Sequence, residues 1–249
     1  LIALINPPVF WNLGGFFIVL CLILQLLKLN QYMLKAVIFD MDGVICHTNP
    51  FHSVAFQKFF AKRNLNPSQA EYAEHMYGKN NGYILSHFLG RKIEGEELAL
   101  LEDEKEGLFR DIYKSEVDPI SGFREFFAKL KSEDMLTAVA TSAPRANLDL
   151  IIGTLGIGGL MQSQLASEDV SKHKPDPEVY LKSAAKLGVK PENCLVFEDS
   201  FSGASAGLNA GMKVVGVLSS HTIAELPKCD LYIDDYKKLD LNQIQQLFN

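Results

Sequence analysis

Asp40 and Asp42 stand two positions apart in Phe39-Asp40-Met41-Asp42-Gly43-Val44, directly after the apolar run Ala36-Val37-Ile38-Phe39. A carboxylate can attack phosphorus and carry the phosphoryl group as an acyl phosphate. A second carboxyl can protonate the leaving oxygen and then activate water. One short segment could supply both groups, with Gly43 giving the backbone freedom for a sharp turn. Alone the pair is a modest signal, because acidic residues commonly end strands.

Two anionic groups need compensating charge before a phosphate can approach. Glu198-Asp199 follows the apolar residues 194–197, and such carboxylate pairs suit Mg²⁺, which takes one or two carboxylates together with waters and a substrate oxygen. Lys174, in Lys172-His173-Lys174-Pro175-Asp176-Pro177, is a candidate cation for the nucleophile and the transferring group. A single loop lysine also reads as a solvated side chain; Pro175 and Pro177 favour a positioned one, because they stiffen the backbone just after it. Thr141-Ser142 offers a hydroxyl and backbone N–H groups to phosphate oxygens. The same pair also reads as a helix N-cap before Pro144, and the two roles are compatible.

The elements that must hold these residues follow from the hydrophobic pattern. Residues 36–39, 135–140, 194–197, 213–217 and 231–233 are short apolar runs of the kind that form fully buried parallel strands. Helical patterns at 123–131, 146–155, 177–187 and 203–210 separate them. The alternation predicts an α/β fold with a doubly wound parallel sheet, whose active site lies beyond the carboxyl ends of the strands. Asp40, Thr141 and Glu198-Asp199 all fall at such ends. The alternation breaks between about 50 and 115, where helical patterns at 51–62, 68–76 and 96–113 occur without a good strand. An all-helical insert after the first strand reads as a cap that closes over the site, hinged at 46–49 and 116–120. The expected division is a core of residues 33–48 and 117–249 with a helical cap of 49–116.

Composition bounds the alternatives. The chain has 249 residues, 47% hydrophobic and 22% charged, with a formal net charge of -6. That is enough for one large core plus an accessory domain, and the acidic balance argues against a general nucleic-acid binder. The four cysteines, Cys21, Cys46, Cys194 and Cys229, show no C-x-x-C spacing. A zinc site or disulfide framework is not expected, and a reducing, cytoplasmic setting fits. Residues 9–27 are almost purely apolar, and about 19 such residues would span a bilayer as a helix. A secretory signal fits less well, since no positive residue precedes the run and no small-residue cleavage site follows it. Residues 1–32 therefore read as a membrane anchor, a structural helix, or an upstream stretch preceding a domain that begins at Met33. Membrane contact is expected only in the first case.

Taken in order, Asp40-Met41-Asp42-Gly43-Val44, Ala140-Thr141-Ser142, Lys174-Pro175-Asp176-Pro177 and Phe197-Glu198-Asp199-Ser200 resemble the four motifs of the haloacid dehalogenase superfamily. The likeness covers the chain from about 34 to 248 and lies nearest the β-phosphoglucomutase-like group, which carries a helical cap between its first two motifs. It implies Asp40 as nucleophile and Mg²⁺ ligand, and Asp42 as general acid/base and backbone-carbonyl ligand. Thr141 and Ser142 would hold phosphoryl oxygens, Lys174 would balance charge, and Glu198 and Asp199 would complete the metal site. The small residues from Ser200 to Met212 look like that family's helix after the fourth motif, in a packing role. Dehalogenase members lack the second aspartate and P-type ATPases replace it with threonine, so Asp42 points to a phosphatase or phosphomutase.

His52 on the cap side and Thr48 near the first hinge match residues of phosphoglucomutases, the histidine one that helps position substrate and the general acid, although a lone histidine also serves as a surface or satisfied core residue. Where mutases carry a Gly-centred loop with basic residues for the distal phosphate, this chain has Tyr77-Gly78-Lys79-Asn80-Asn81, with Asn81 in place of an arginine. Losing a bidentate arginine would weaken the grip on a second phosphate, which Lys79 or Arg145 could compensate. The expectation is a monomeric phosphatase acting on a small phosphorylated metabolite, a sugar phosphate above others. β-Phosphoglucomutase and inorganic pyrophosphatase are the enzymatic alternatives, and a small-molecule-binding or membrane-anchored regulatory protein the non-enzymatic one.

Overall fold

The computed structural model of the chain describes residues 33–76 and 80–249. Residues 1–32 and Lys79 lie outside them. In chain order the elements are β1 (Ala36–Phe39), α1 (Asn49–Ala61), α2 (Gln69–His75), α3 (Asn81–Leu89), α4 (Gly95–Tyr113), α5 (Phe123–Ser132), β2 (Leu136–Ala140), α6 (Arg145–Leu155), β3 (Ser163–Leu165), α7 (Glu178–Leu187), β4 (Cys194–Glu198), α8 (Phe201–Asn209), β5 (Lys213–Val217), β6 (Leu231–Ile233) and α9 (Leu241–Gln246).

The strands form one parallel sheet in the order β3-β2-β1-β4-β5-β6. Winding proceeds outward from β1 in both directions, so the switch point of the doubly wound sheet lies between β1 and β4. Phe39 is in register with Val139 on one side and Phe197 on the other. Asp40 N donates to Phe197 O at 3.0 Å, which carries the ladder one residue further. That register brings Asp40, Ala140 and Glu198 level at one edge.

The period-two pattern of β1 divides the core. Val37 and Phe39 enter one hydrophobic cluster with residues of α5, α6 and α9, and Ala36 and Ile38 enter another with residues of α7 and α8. Phe39 sits at the centre of the first. Its ring stacks on Phe197 at 5.1 Å and meets Phe123 edge-on at 5.4 Å.

The insert is helical throughout its described residues. α1, α2 and α3 share an apolar cluster of their own, built on Phe56, Phe59, Phe60, Tyr72, Ile84 and Leu85. Ala55, Phe109 and Tyr113 at the base of α1 and α4 belong instead to the main core cluster. The two chain crossings between insert and sheet lie side by side: Cys46 bridges Pro119, and Ile120 N donates to Ile45 O at 2.8 Å. No helix of the described residues is long and apolar enough to cross a membrane.

Sequence reading did not anticipate α3, β3 or α9. β3 is three residues at the sheet edge with Gln164 half-buried, too short and polar for an apolar-run criterion. α9 is a six-residue helix held by a capping box at Asp240, and short helices leave little periodicity to read.

Phe39→Ala removes the ring on which the aromatic cluster is centred. It is expected to lower the unfolding free energy by about 3–5 kcal/mol, read from urea denaturation.

Candidate active site

Asp40 leaves β1 into a tight turn in which Ile45 N donates to Met41 O at 2.9 Å and Gly43 N donates to Cys46 O at 2.8 Å. Gly43 has φ of 71°, and a Cβ there would lie 2.0 Å from Asp199 Oδ2. Only glycine both adopts the turn and leaves room for that carboxylate.

The strand ends are tied together by one lysine. Lys174 Nζ donates to Asp40 Oδ1 at 2.6 Å, to Glu198 Oε1 at 2.6 Å and to Ala140 O at 3.1 Å. Its side chain is 6% exposed. The Lys174-Pro175 peptide is cis, and the ammonium lies 5.0 Å over the Tyr180 ring. Tyr180, on α7, donates its hydroxyl to Glu198 Oε1 at 2.7 Å. The other oxygen of Glu198 accepts from the N–H groups of Asp199 and Ser200 at 3.1 and 3.3 Å and from Ser200 Oγ at 3.1 Å. A Cβ on Gly203 would fall 1.7 Å from Glu198 Oε1, so the small residue in α8 makes space for the buried carboxylate.

Asp40, Glu198 and Asp199 each offer an oxygen within 4.8 Å of the others. Burial pushes the Asp40 carboxyl well above its ordinary value, against the pull of Lys174. Burial and the neighbouring Glu198 push Asp199 up to about 7. Three buried carboxylates with one ammonium between them form an oxygen-rich, charge-deficient cradle that a hard divalent cation fits. Asp199 also has a built surround: Ser220 Oγ donates to its Oδ2, Asn49 Nδ2 approaches the same oxygen at 3.4 Å, and His221 Nδ1 donates to its carbonyl at 2.9 Å.

Thr141 is buried at the end of β2, and its Oγ1 accepts from Ala143 N at 3.0 Å. It does not cap α6; the N-cap is Pro144, and Glu168 accepts from Arg145 N instead. Ser142 is exposed.

On the cap side, Asp42 faces His52. Nε2 lies 3.5 Å from Asp42 Oδ1, which is buried without a hydrogen-bond partner, as is Thr48 Oγ1. Burial pushes Asp42 up, but His52 outweighs it and holds the carboxyl below its ordinary value. The His52 ring stacks on Phe109 at 3.8 Å, and Lys105 Nζ donates to its Nδ1 at 2.8 Å, leaving Nε2–H toward Asp42. Lys105 also pairs with Glu106 Oε1 at 2.8 Å. Asn81 Nδ2 donates to that same Oε1 at 3.0 Å, so Asn81 turns to a carboxylate. Arg145 is committed to Asp169 and to Gln164 O, away from the cleft.

Lys105 and Glu106 escaped sequence reading because Glu102-Asp103-Glu104-Lys105-Glu106 looks like a solvated charge run. The signal was helical phase: Lys105, Phe109 and Tyr113 recur every fourth residue on the buried stripe of α4. Asn49, Ser220 and His221 carried no spacing that would have marked them.

The family model for haloacid dehalogenase-like hydrolases matches residues 37–217. The chain is 32% identical to the protein CbbY of Rhodobacter capsulatus, over 76% of this chain and 87% of that one. It is 31% identical to a phosphorylated carbohydrates phosphatase of Thermotoga maritima, over 75% of this chain and 87% of that one. A crystal structure of β-phosphoglucomutase from Clostridium difficile superposes with a TM-score of 0.76 at 27% identity, covering 87% of this chain and 98% of that one. The chain belongs to the haloacid dehalogenase-like hydrolase family. Within it the chain is an enzyme of the β-phosphoglucomutase-like group, which holds phosphatases and phosphomutases.

Gly203→Ala forces Glu198 out of its place beside Lys174. A loss of about 2–4 kcal/mol in unfolding free energy is expected, visible as a lower urea midpoint. Glu106 gives a pH signature. Burial would raise its carboxyl, but Lys105, His52 and Asn147 outweigh that and hold it down to about 2, from 4.5. A depressed folded value stabilises the fold above the unfolded value and is lost as pH falls toward the folded one. The stability difference between wild type and Glu106→Gln is expected to shrink as pH is lowered from about 6 toward about 3, followed by urea unfolding at each pH.

Proposed function

We propose that this enzyme is a Mg²⁺-dependent phosphatase that hydrolyses a small phosphate ester, a sugar phosphate first among them, through an aspartyl-phosphate on Asp40. The observation that carries this reading is the placement of Asp40 Oδ1 at 2.6 Å from Lys174 Nζ beside the Glu198–Asp199 pair, with Asp42 two residues further on. In the proposed division, residues 33–48 and 117–249 are the catalytic core and 49–116 the cap.

Lys174 balances the charge of Asp40 and of the arriving phosphoryl group while Glu198 holds the ammonium in place. Thr141 and Ser142 meet the non-bridging oxygens with hydroxyl and backbone groups at the end of β2. Asp40, Asp199, Glu198 and the Asp42 backbone carbonyl would hold Mg²⁺, which when bound neutralises the phosphate and the carboxylates around it. Asp40 Oδ attacks phosphorus in line with the ester oxygen, and Asp42 gives that oxygen a proton. Asp42 Oδ1, buried beside Nε2–H of His52 and lacking a hydrogen bond, is the group left for the leaving oxygen and then for water. The ionised form that His52 favours is the base of the second step. A phosphoryl charge arriving beside it raises its proton affinity for the first.

Hydrolysis rather than mutase chemistry is favoured by the pairing of the cations that could otherwise serve a second phosphate. Among the described residues, Lys105 is paired with Glu106, Arg110 is bonded to Asn147 and Arg145 is paired with Asp169. Asn81, Thr48 and His52 line the cap side, and Lys79 joins them in the proposed substrate set. The Thermotoga maritima relative named for phosphorylated carbohydrates supports the choice of substrate class.

Asp40→Asn is expected to lower phosphate release at least about a thousand-fold with metal present; undiminished release would sink the mechanism. The assay is a phosphate-release screen over sugar phosphates, nucleotides and pyrophosphate, with and without glucose 1,6-bisphosphate. Bisphosphate-dependent isomerisation outpacing phosphate release would assign the chain to the mutases instead.

A further inference from the structure

A polar network outside the groups assigned to bond making lies on the seam between cap and core. Asn147 belongs to α6, a helix of the core, and is fully buried. Both ends of its amide nevertheless go to the cap. Nδ2 donates to Glu106 Oε2 at 2.7 Å, and Oδ1 accepts from Arg110 Nη1 at 3.0 Å. Glu106 in turn accepts from Lys105 Nζ at 2.8 Å, and Lys105 donates to His52 Nδ1 at 2.8 Å. The path from α6 to Asp42 is a continuous run of polar contacts.

The chemistry of the amide makes this contact selective. Glu106 can only accept and Arg110 can only donate, so the core residue between them must offer one donor and one acceptor in a fixed direction. An amide does so without adding charge. Sliding the cap by one helical position would take Asn147 from Glu106 Oε2 and leave the buried amide without partners, which is more costly than the bonds themselves are stabilising. Apolar contacts between Phe109, Tyr113 and the core have no such directionality.

We propose that Asn147 and Glu106 are positioning residues for the reaction: they latch the cap on the core in the one register that sets Lys105, and through it His52, against Asp42. The assignment to a reaction rests on the phosphatase reading above; the latch itself does not. Neither residue touches the phosphoryl group. Their effect falls on the step that needs Asp42 aligned, and less on substrate capture.

The test is a donor–acceptor swap. Asn147→Asp sets two carboxylates against each other, and Glu106→Gln removes the anion between Lys105 and Arg110. The double variant Glu106→Gln/Asn147→Asp restores a donor facing an acceptor, lets Asp at position 147 accept from Arg110, and keeps one carboxylate between the two cations. Each single variant is expected to lower kcat about 10- to 100-fold with KM shifting less than about three-fold, and the swap to regain at least about ten-fold in kcat. Amide hydrogen exchange across 100–113 and 141–150 is expected to rise in the single variants and return toward wild type in the double. A double variant whose loss is the product of the single losses, or single variants with unchanged kcat, would overturn the proposal. If Asn147→Asp does not fold, Asn147→Ser removes both bonds without adding charge and must show the same kcat loss and exchange increase. A wild-type protein that releases no phosphate from any ester sinks the phosphatase reading, and the exchange comparison still decides the latch.

Discussion

One buried ammonium holds the catalytic end of this molecule together. Lys174 is 2.6 Å from both Asp40 and Glu198, which end different strands of the sheet. Desolvating these charges separately would cost several kcal/mol per ion, and their mutual attraction offsets that only because the geometry is close and the remaining lone pairs are met. Tyr180, the Ser200 hydroxyl and two backbone N–H groups meet those of Glu198. The glycine at position 203 leaves the carboxylate room, and α7 brings Tyr180 within hydrogen-bond reach of it. Even so, one cation does not balance three carboxylates. Burial first, and repulsion among the carboxylates after it, displace Asp40 and Asp199 upward, and a site so short of positive charge suits a divalent cation.

The cap carries a second polar network, buried at Lys105 and Glu106, with a different function. Its own apolar cluster around Phe56, Phe59 and Phe60 would hold the four helices together in many orientations relative to the sheet. Orientation comes from directional groups at its base, where Lys105, Glu106, Arg110, Asn81 and His52 are bonded to one another and to Asn147. The two networks meet at the turn between Asp40 and Asp42. One aspartate faces the core lysine and the other the cap histidine, so a dipeptide spacing becomes a division of labour between two layers of the protein.

Sequence alone determined most of the sheet, because β1, β2, β4 and β5 are short apolar runs with buried residues on both faces. It determined the strand-end acids, Lys174 and the location of the insert, since these sit at fixed places relative to those runs. It also indicated that Asn81 departs from a phosphate-binding arginine. Those features are local, with their signal in a few adjacent residues. The edge strand β3 and the short helix α9 were illegible because tertiary neighbours, not their own patterns, stabilise them.

Tertiary structure decided everything that depends on which side chain meets which. Lys105 and Glu106 stand in a run of charges that marks neither of them, and they are buried because their helix turns that face inward. Asn147, which no sequence signal marked, is bonded at both ends of its amide to the cap. Thr141 read as a possible cap and instead bonds within its own turn. Hydrogen-bond partners separated by tens of residues leave no periodicity or spacing in a sequence; only the packing of β1, α4 and α6 around the Asp40–Asp42 turn brings them together.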